Sequence, residues 1–168
     1  MALFSSRGER ELAQFTRDAL GQGVMRPDET WLSTATAALL SYTRMEAYTT
    51  RYQGSPSIIR LGFTSTRFVM LTDEEVVGVD LLMLSTAVWL HTEGKLPSAI
   101  VTWLGDQVPG MGGITVGKSS ESTITQQFVR QLEATAEPRK TDFPAEVVAA
   151  VETWRDLAAQ QRDRDSGA

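Results

Sequence analysis

The chain has 168 residues with a formal net charge of −5, and 42% of its residues are hydrophobic. That length fits one domain with terminal extensions, and the hydrophobic content supports a buried core, which argues against disorder over most of the chain. A dispersed acidic charge argues against nucleic acid and anionic membrane as partners, and the lack of cysteine excludes disulfides, zinc–thiolate sites and iron–sulfur clusters.

The N-terminal segment has no basic stretch followed by an apolar stretch, so it does not resemble a signal peptide. Residues 6–20 place apolar side chains on one face, which predicts a helix, and residues 1–26 are interpreted as a helical extension. Residues 31–42 fit either a helix or a strand, because periodicity alone does not separate the two.

The middle of the chain alternates short apolar runs with polar turns, a pattern that predicts antiparallel strands. The predicted strands are 57–63, 67–71, 76–79, 84–90 and 98–104. The most apolar stretch, residues 76–90, contains Asp80 and is shorter than the roughly 20 residues that span a bilayer. We therefore predict no membrane insertion and a cytoplasmic location.

Two helices are predicted after the strands. The first runs from about residue 120 to 134, and its apolar stripe is formed by Ile124, Phe128, Val129 and Leu132. The second follows Pro144, within a C-terminal region of residues 137–168. Because terminal helices can pack against other chains, its apolar stripe supplies the predicted partner-binding residues: Val147, Val151, Trp154 and Leu157.

These elements predict an α+β fold. We expect an antiparallel meander sheet or partial barrel closed by a C-terminal helix, with extra N- and C-terminal helices.

Residues 112–119 match the P-loop pattern G-x-x-x-x-G-K-[ST] at every fixed position, which are Gly112, Gly117, Lys118 and Ser119. The segment 114–116 is β-branched throughout and favours a strand, and no later strand is predicted to supply a magnesium-ordering Asp. We therefore expect a Gly-rich turn, a strand at 114–116 and a helix capped by Ser119 or Ser120. Nucleotide binding through the four motif residues is an alternative hypothesis.

No catalytic or metal site is predicted. His91 is the only histidine, and no nucleophile or carboxylate partner can be assigned to it. The acidic residues Asp73, Glu74, Glu75 and Asp80 are expected to diverge along a turn and a strand. The sequence therefore predicts neither an enzyme nor a cofactor.

Two phrases and the order of elements resemble a bacterial pleckstrin-homology-like (PH or GRAM-type) domain over residues 27–136. The first phrase is Pro27-Asp28-Glu29, and the second is residues 63–68, an apolar-Thr-x-x-Arg-apolar sequence between two strands. The resemblance implies a binding module. Some such domains bind phosphoinositides through basic residues in the first hairpin loop, but residues 44–56 hold only Arg44 and Arg51 here, so phosphoinositide binding is not expected.

The predicted function is a non-catalytic protein-interaction module, either self-associated or a subunit of a larger assembly, because two extra amphipathic helices need apolar partners. The length and the pI of about 4.9 also fit an alternative, an acidic secretion-type chaperone or adaptor that binds a client protein.

Overall fold

A computed structural model describes residues 6–44, 49–52, 57–73, 75–91, 93–104 and 111–142, together with residues 145, 146, 149 and 153. The helices are α1 (Arg7–Gly21) and α2 (Gln126–Ala136), with two 3-10 segments at Leu81–Met83 and Glu137–Asp142. The strands are β1 (Ser33–Arg44), β2 (Thr49–Tyr52), β3 (Ile58–Phe63), β4 (Arg67–Leu71), β5 (Val76–Asp80), β6 (Leu84–Leu90), β7 (Ser98–Leu104) and β8 (Met111–Gly117).

All strand pairs that the structure describes are antiparallel, in the order β5-β4-β3-β1-β8-β7-β6, with β2 paired to the end of β1. Strand β1 thus lies between two meanders, β3-β4-β5 on one side and β6-β7-β8 on the other. The prediction of an antiparallel α+β sheet is confirmed. The sheet is not closed into a barrel, because β5 and β6 lie at its opposite ends.

The ambiguous segment at 31–42 forms most of β1. Its alternate residues Ala35, Ala37 and Leu39 are buried in the main core, as the two-residue period of a strand requires. A bulge between Leu39 and Ser41 shifts the register against β8, after which Tyr42 also faces the core. Central strands need small or apolar side chains on the core face, and β1 supplies them.

One side of the sheet, here called the inner face, packs against α2. Phe128 of α2 meets Phe63 of β3 edge to face, with ring centroids 5.3 Å apart, and Leu132 is fully buried. The apolar stripe predicted for this helix therefore closes the core, each buried side chain contributing about 1.5–3 kcal/mol.

The opposite side of β3, β4 and β5, the outer face, is covered by α1. Phe15 stacks on Trp31 with centroids 4.7 Å apart, and both pack into a second cluster with Val69. Gly62 lies directly under Trp31, because a Cβ at that position would approach the indole ring to 2.8 Å. An ion pair of 3.2 Å between Glu11 and Arg60 adds a contact at the helix surface.

The start of α2 was predicted wrongly. Neither Ser119 nor Ser120 caps the helix; it begins at Gln126 with Thr125 as its N-cap, whose hydroxyl accepts a hydrogen bond from the Phe128 amide at 3.2 Å. The preceding residues run along β1 instead, because the amides of Thr123 and Ile124 donate to the carbonyl of Thr36 at 3.0 and 2.9 Å.

Candidate functional site

A groove of about 600 Å³ separates the edge strand β6 from α2. Its strand side is formed by Ala87, Val88 and Trp89, and its helix side includes Arg130, Glu133 and Ala134. Successive side chains of β6 point to opposite faces of the sheet. Those of Ala87 and Trp89 point toward the core side that α2 covers, and that of Val88 points away from it. The groove therefore combines a strand edge with a helix wall.

A hydrogen bond between β6 and α2 crosses this groove. The backbone amide of Ala87 donates to the carboxylate Oε2 of Glu133 over 2.9 Å. Backbone groups of successive strand residues point to opposite sides, so Ala87 and Trp89 direct theirs away from β7, while those of Val88 point toward it. A side-chain oxygen of α2 thus occupies a position that a neighbouring strand's carbonyl would fill.

Trp89 links the groove to the end of β8. The ammonium of Lys118 lies 5.6 Å from the centroid of the Trp89 ring, within cation–π range. Lys118 is the lysine of the P-loop pattern, and its charge is directed to an aromatic face of β6.

The P-loop pattern itself forms a strand. Residues 113–117 pair with β1 on one side, and residues 112–117 pair with β7 on the other. The expected strand at 114–116 is therefore confirmed, and the expected turn at Gly112 is wrong. Gly112 is required by close packing, because a Cβ there would overlap the Trp103 indole. The segment lacks the loop conformation in which converging amides bind phosphate. Ser119 is exposed, and its hydroxyl accepts from the Glu121 amide at 3.3 Å.

The two phrases of the PH-like resemblance meet in space. The carboxylate of Glu29 accepts hydrogen bonds from the hydroxyls of Thr64 (3.1 Å) and Thr66, and from the Arg26 amide at 2.6 Å. Arg67 donates to the carbonyl of Val24 at 3.1 Å. These contacts tie the segment before β1 to the turn between β3 and β4.

The pKa of Glu29 reflects this environment. Burial is the largest single influence and raises the pKa. The hydrogen bonds from Thr66, the Arg26 amide and Thr64, together with the charge of Arg67, lower the pKa by more than burial raises it, so the pKa of Glu29 lies below its ordinary value of 4.5. The cluster therefore holds Glu29 as a carboxylate in a fixed structural role.

The remaining predicted acidic residues are dispersed. The hydroxyl of Tyr42 donates to Glu75 at 3.3 Å, and Asp80 caps the 3-10 segment by accepting from the Leu82 amide at 2.9 Å. Asp73 and His91 are exposed, and Glu74 lies outside the described residues. Within the described part of the chain, no three His, Cys, Asp or Glu residues come together as a metal site would require.

The predicted partner-binding residues Val147, Val151, Trp154 and Leu157 lie outside the described residues. The groove was missed by sequence reasoning. Its only signal is Glu133, a carboxylate next to the buried Leu132 in α2, and nothing local indicates that Glu133 meets β6.

No protein-family model matches this chain, and no curated protein shows significant similarity to it. Among the helices that the structure describes, none combines the length and the apolar character needed to cross a bilayer.

Proposed function

We propose that this protein is a non-catalytic protein-interaction module that binds an extended segment of a partner protein in the groove between β6 and α2. The observation that carries the proposal is the hydrogen bond from the Ala87 amide to Glu133, at a strand edge that borders a groove.

An exposed strand edge can accept one more strand from a partner, which gains main-chain hydrogen bonds and places alternate side chains in pockets. In the groove a carbonyl of the partner replaces the Glu133 carboxylate as the acceptor for the Ala87 amide. The N–H and C=O groups of Trp89, which point away from β7, then form the next hydrogen bonds of the added strand pair. The wall of α2 then supplies side-chain contacts through Arg130 and Ala134.

The charges of the groove favour a particular partner. Glu133 and Glu137 line it with two carboxylates against one guanidinium, that of Arg130. Lys118 lies on the Trp89 ring at the strand side. An extended segment that carries a basic side chain beside an apolar one therefore suits the groove best, and its association is salt-dependent.

The PH-like assignment is part of the same proposal. It is supported by the order of elements, an antiparallel sheet followed by one core-closing helix, and by the contact of Glu29 with Thr64 and Thr66 between the two sequence phrases. A scaffold of this kind presents a groove between a strand edge and a helix.

Selection of a displayed library of random linear peptides tests the proposal. Ala134→Trp fills the groove from an exposed position of α2, whereas Gln131→Trp adds the same bulk at an exposed position that does not line it. Peptides selected on the natural sequence are expected to bind the Gln131 variant and to lose binding to the Ala134 variant, as measured by titration calorimetry.

Circular dichroism and the melting temperature of both variants serve as the folding control. Failure to enrich any peptide, or equal binding of the selected peptides to both variants, would contradict the proposal.

A further inference from the structure

The groove between β6 and α2 is bounded by two elements that run in opposite directions. The 3-10 segment Glu137–Asp142, which follows α2, contacts the 3-10 segment Leu81–Met83, which precedes β6. The C-terminal end of α2 therefore lies beside the start of β6, and its N-terminal end lies beside the end of β6. Gln126 and Trp89 both line the groove, as this direction requires.

The geometry of the two elements sets which side chains are level with each other. Arg130 and Glu133 line the groove at about 6 and 10.5 Å along the helix axis from Gln126, at 1.5 Å per residue. The hydrogen bond from the Ala87 amide fixes Glu133 level with Ala87. Trp89 lies about 7 Å further along β6, so it is level with the helix between Gln126 and Arg130.

The two ends of the groove therefore carry opposite charge. The cationic end holds Arg130 and the ammonium of Lys118, which lies over the indole ring at that position, and it coincides with the positive end of the α2 dipole. The anionic end holds the carboxylates of Glu133 and Glu137. The next cation along the chain, Arg139, follows Glu137 in the 3-10 segment and is not among the residues that line the groove.

We propose that the segment bound in this groove lies antiparallel to β6 and carries an acidic, an apolar and a basic residue in that order. This inference rests on the proposed function and adds the direction and the residue order of the partner. Every strand pair that the structure describes is antiparallel, and antiparallel pairing is slightly the more stable kind. In that direction the partner residue opposite Ala87 comes two positions after the one opposite Trp89.

The pairing decides where each partner side chain points. Residues directly opposite one another in a sheet place their side chains on the same face, so the partner residues opposite Ala87 and Trp89 point into the groove. A basic side chain opposite Ala87 meets the Glu133 carboxylate that the partner's carbonyl displaces, and an acidic side chain opposite Trp89 meets the cationic end. The residue between them points to the other face, beside Val88, which is 37% exposed, and an apolar side chain suits it.

Two peptides of identical composition test this order. One carries Glu-Val-Lys at its centre and the other Lys-Val-Glu, between the same uncharged flanks. We expect the Glu-Val-Lys peptide to bind the natural protein about tenfold more tightly in titration calorimetry, because reversing the order turns two attractive charge contacts into repulsive ones. The difference should shrink as salt is added, since these charges are at a surface.

A charge exchange in the protein provides the matched experiment. Arg130→Glu combined with Glu133→Arg exchanges the charges of the two ends, and we expect it to reverse the preference between the peptides. Arg10→Glu combined with Asp28→Arg makes the same net-neutral exchange at exposed positions of α1 and of the segment before β1, and it should leave the preference unchanged. Circular dichroism of both double variants serves as the folding control.

Equal affinity of the two peptides, or a preference that the groove exchange leaves unchanged, would overturn the charge order. A preference of the natural protein for Lys-Val-Glu would overturn the antiparallel direction. Peptides selected from the random library separate this inference from the proposed function. If they bind, lose binding to the Ala134→Trp variant and yet lack the acidic-apolar-basic order, this inference fails and the proposed function stands. If neither designed nor selected peptides bind, both fail.

Discussion

The two meanders of the sheet treat their outer faces differently. The β3-β4-β5 meander is covered by α1, with Phe15 stacked on Trp31, and its surroundings include the Glu29 cluster. The β6-β7-β8 meander has no described helix on its outer face, and its edge strand borders the groove. The difference teaches that one meander is closed on its outer face by a helix of the same chain, whereas the other leaves the edge of β6 beside a groove.

Removing the aromatic stack is expected to have the largest effect. Phe15→Ala deletes a side chain that is 1% exposed, which should lower the free energy of unfolding by about 3–5 kcal/mol. Leu12→Ala, at a position of α1 that is 39% exposed, should change it by less than about 1 kcal/mol. Urea unfolding measures both variants. An equal loss of unfolding free energy in the two variants would contradict this account, because α1 would then not be anchored through Phe15.

The second meander should be sensitive at Gly112. Gly112→Ala places a methyl group against Trp103, and overpacking of this kind costs about 1–3 kcal/mol in unfolding free energy. Gly21→Ala, where no atom lies within 4 Å of the added carbon, should be neutral or stabilising. Thermal unfolding of the two variants checks this packing role, and a Gly112 variant as stable as the natural protein would disprove it.

Glu29 makes the first meander sensitive to acid. Its folded-state pKa is below 4.5, so the stability it contributes is fully present above 4.5 and is lost as the pH falls through the lower folded value. Glu29→Gln should therefore flatten the fall in unfolding free energy on acidification, relative to the natural protein. Glu93→Gln, which removes the same charge from an exposed position, is the matched control. Identical pH profiles for the Glu29 variant and the natural protein would contradict the cluster's role.

The smallest effect is expected at Lys118. Lys118→Ala removes the cation–π contact with Trp89, worth about 0.5–1 kcal/mol at an exposed site. Because residues 112–117 form a paired strand, ATP with magnesium should not raise the melting temperature of either the natural protein or the variant. A rise that depends on nucleotide concentration and disappears in the variant would revive the nucleotide hypothesis.

Local patterns predicted much of the fold. The bounds of β4, β6 and β7 were predicted as they are, because alternation within a strand and the polar turns beside it are written in neighbouring residues. The start of α2 was missed because the preceding segment bonds to Thr36, 87 residues away from Thr123. The same limit hid the groove: Ala87 and Glu133 are 46 residues apart, and neither has a local pattern that indicates their contact.

Backbone hydrogen exchange at Ala87, measured by NMR with a peptide selected on the natural protein, tests the central claim most directly. If the partner adds a strand to β6, the amide of Ala87 stays protected from exchange when the peptide is bound. The amide chemical shifts of Ala87 and Trp89 then change together, whereas the exchange rates and chemical shifts of the β5 amides, at the other end of the sheet, stay the same. Shifts confined to β5, or to the α1-covered face, would contradict the assignment of the groove as the binding site.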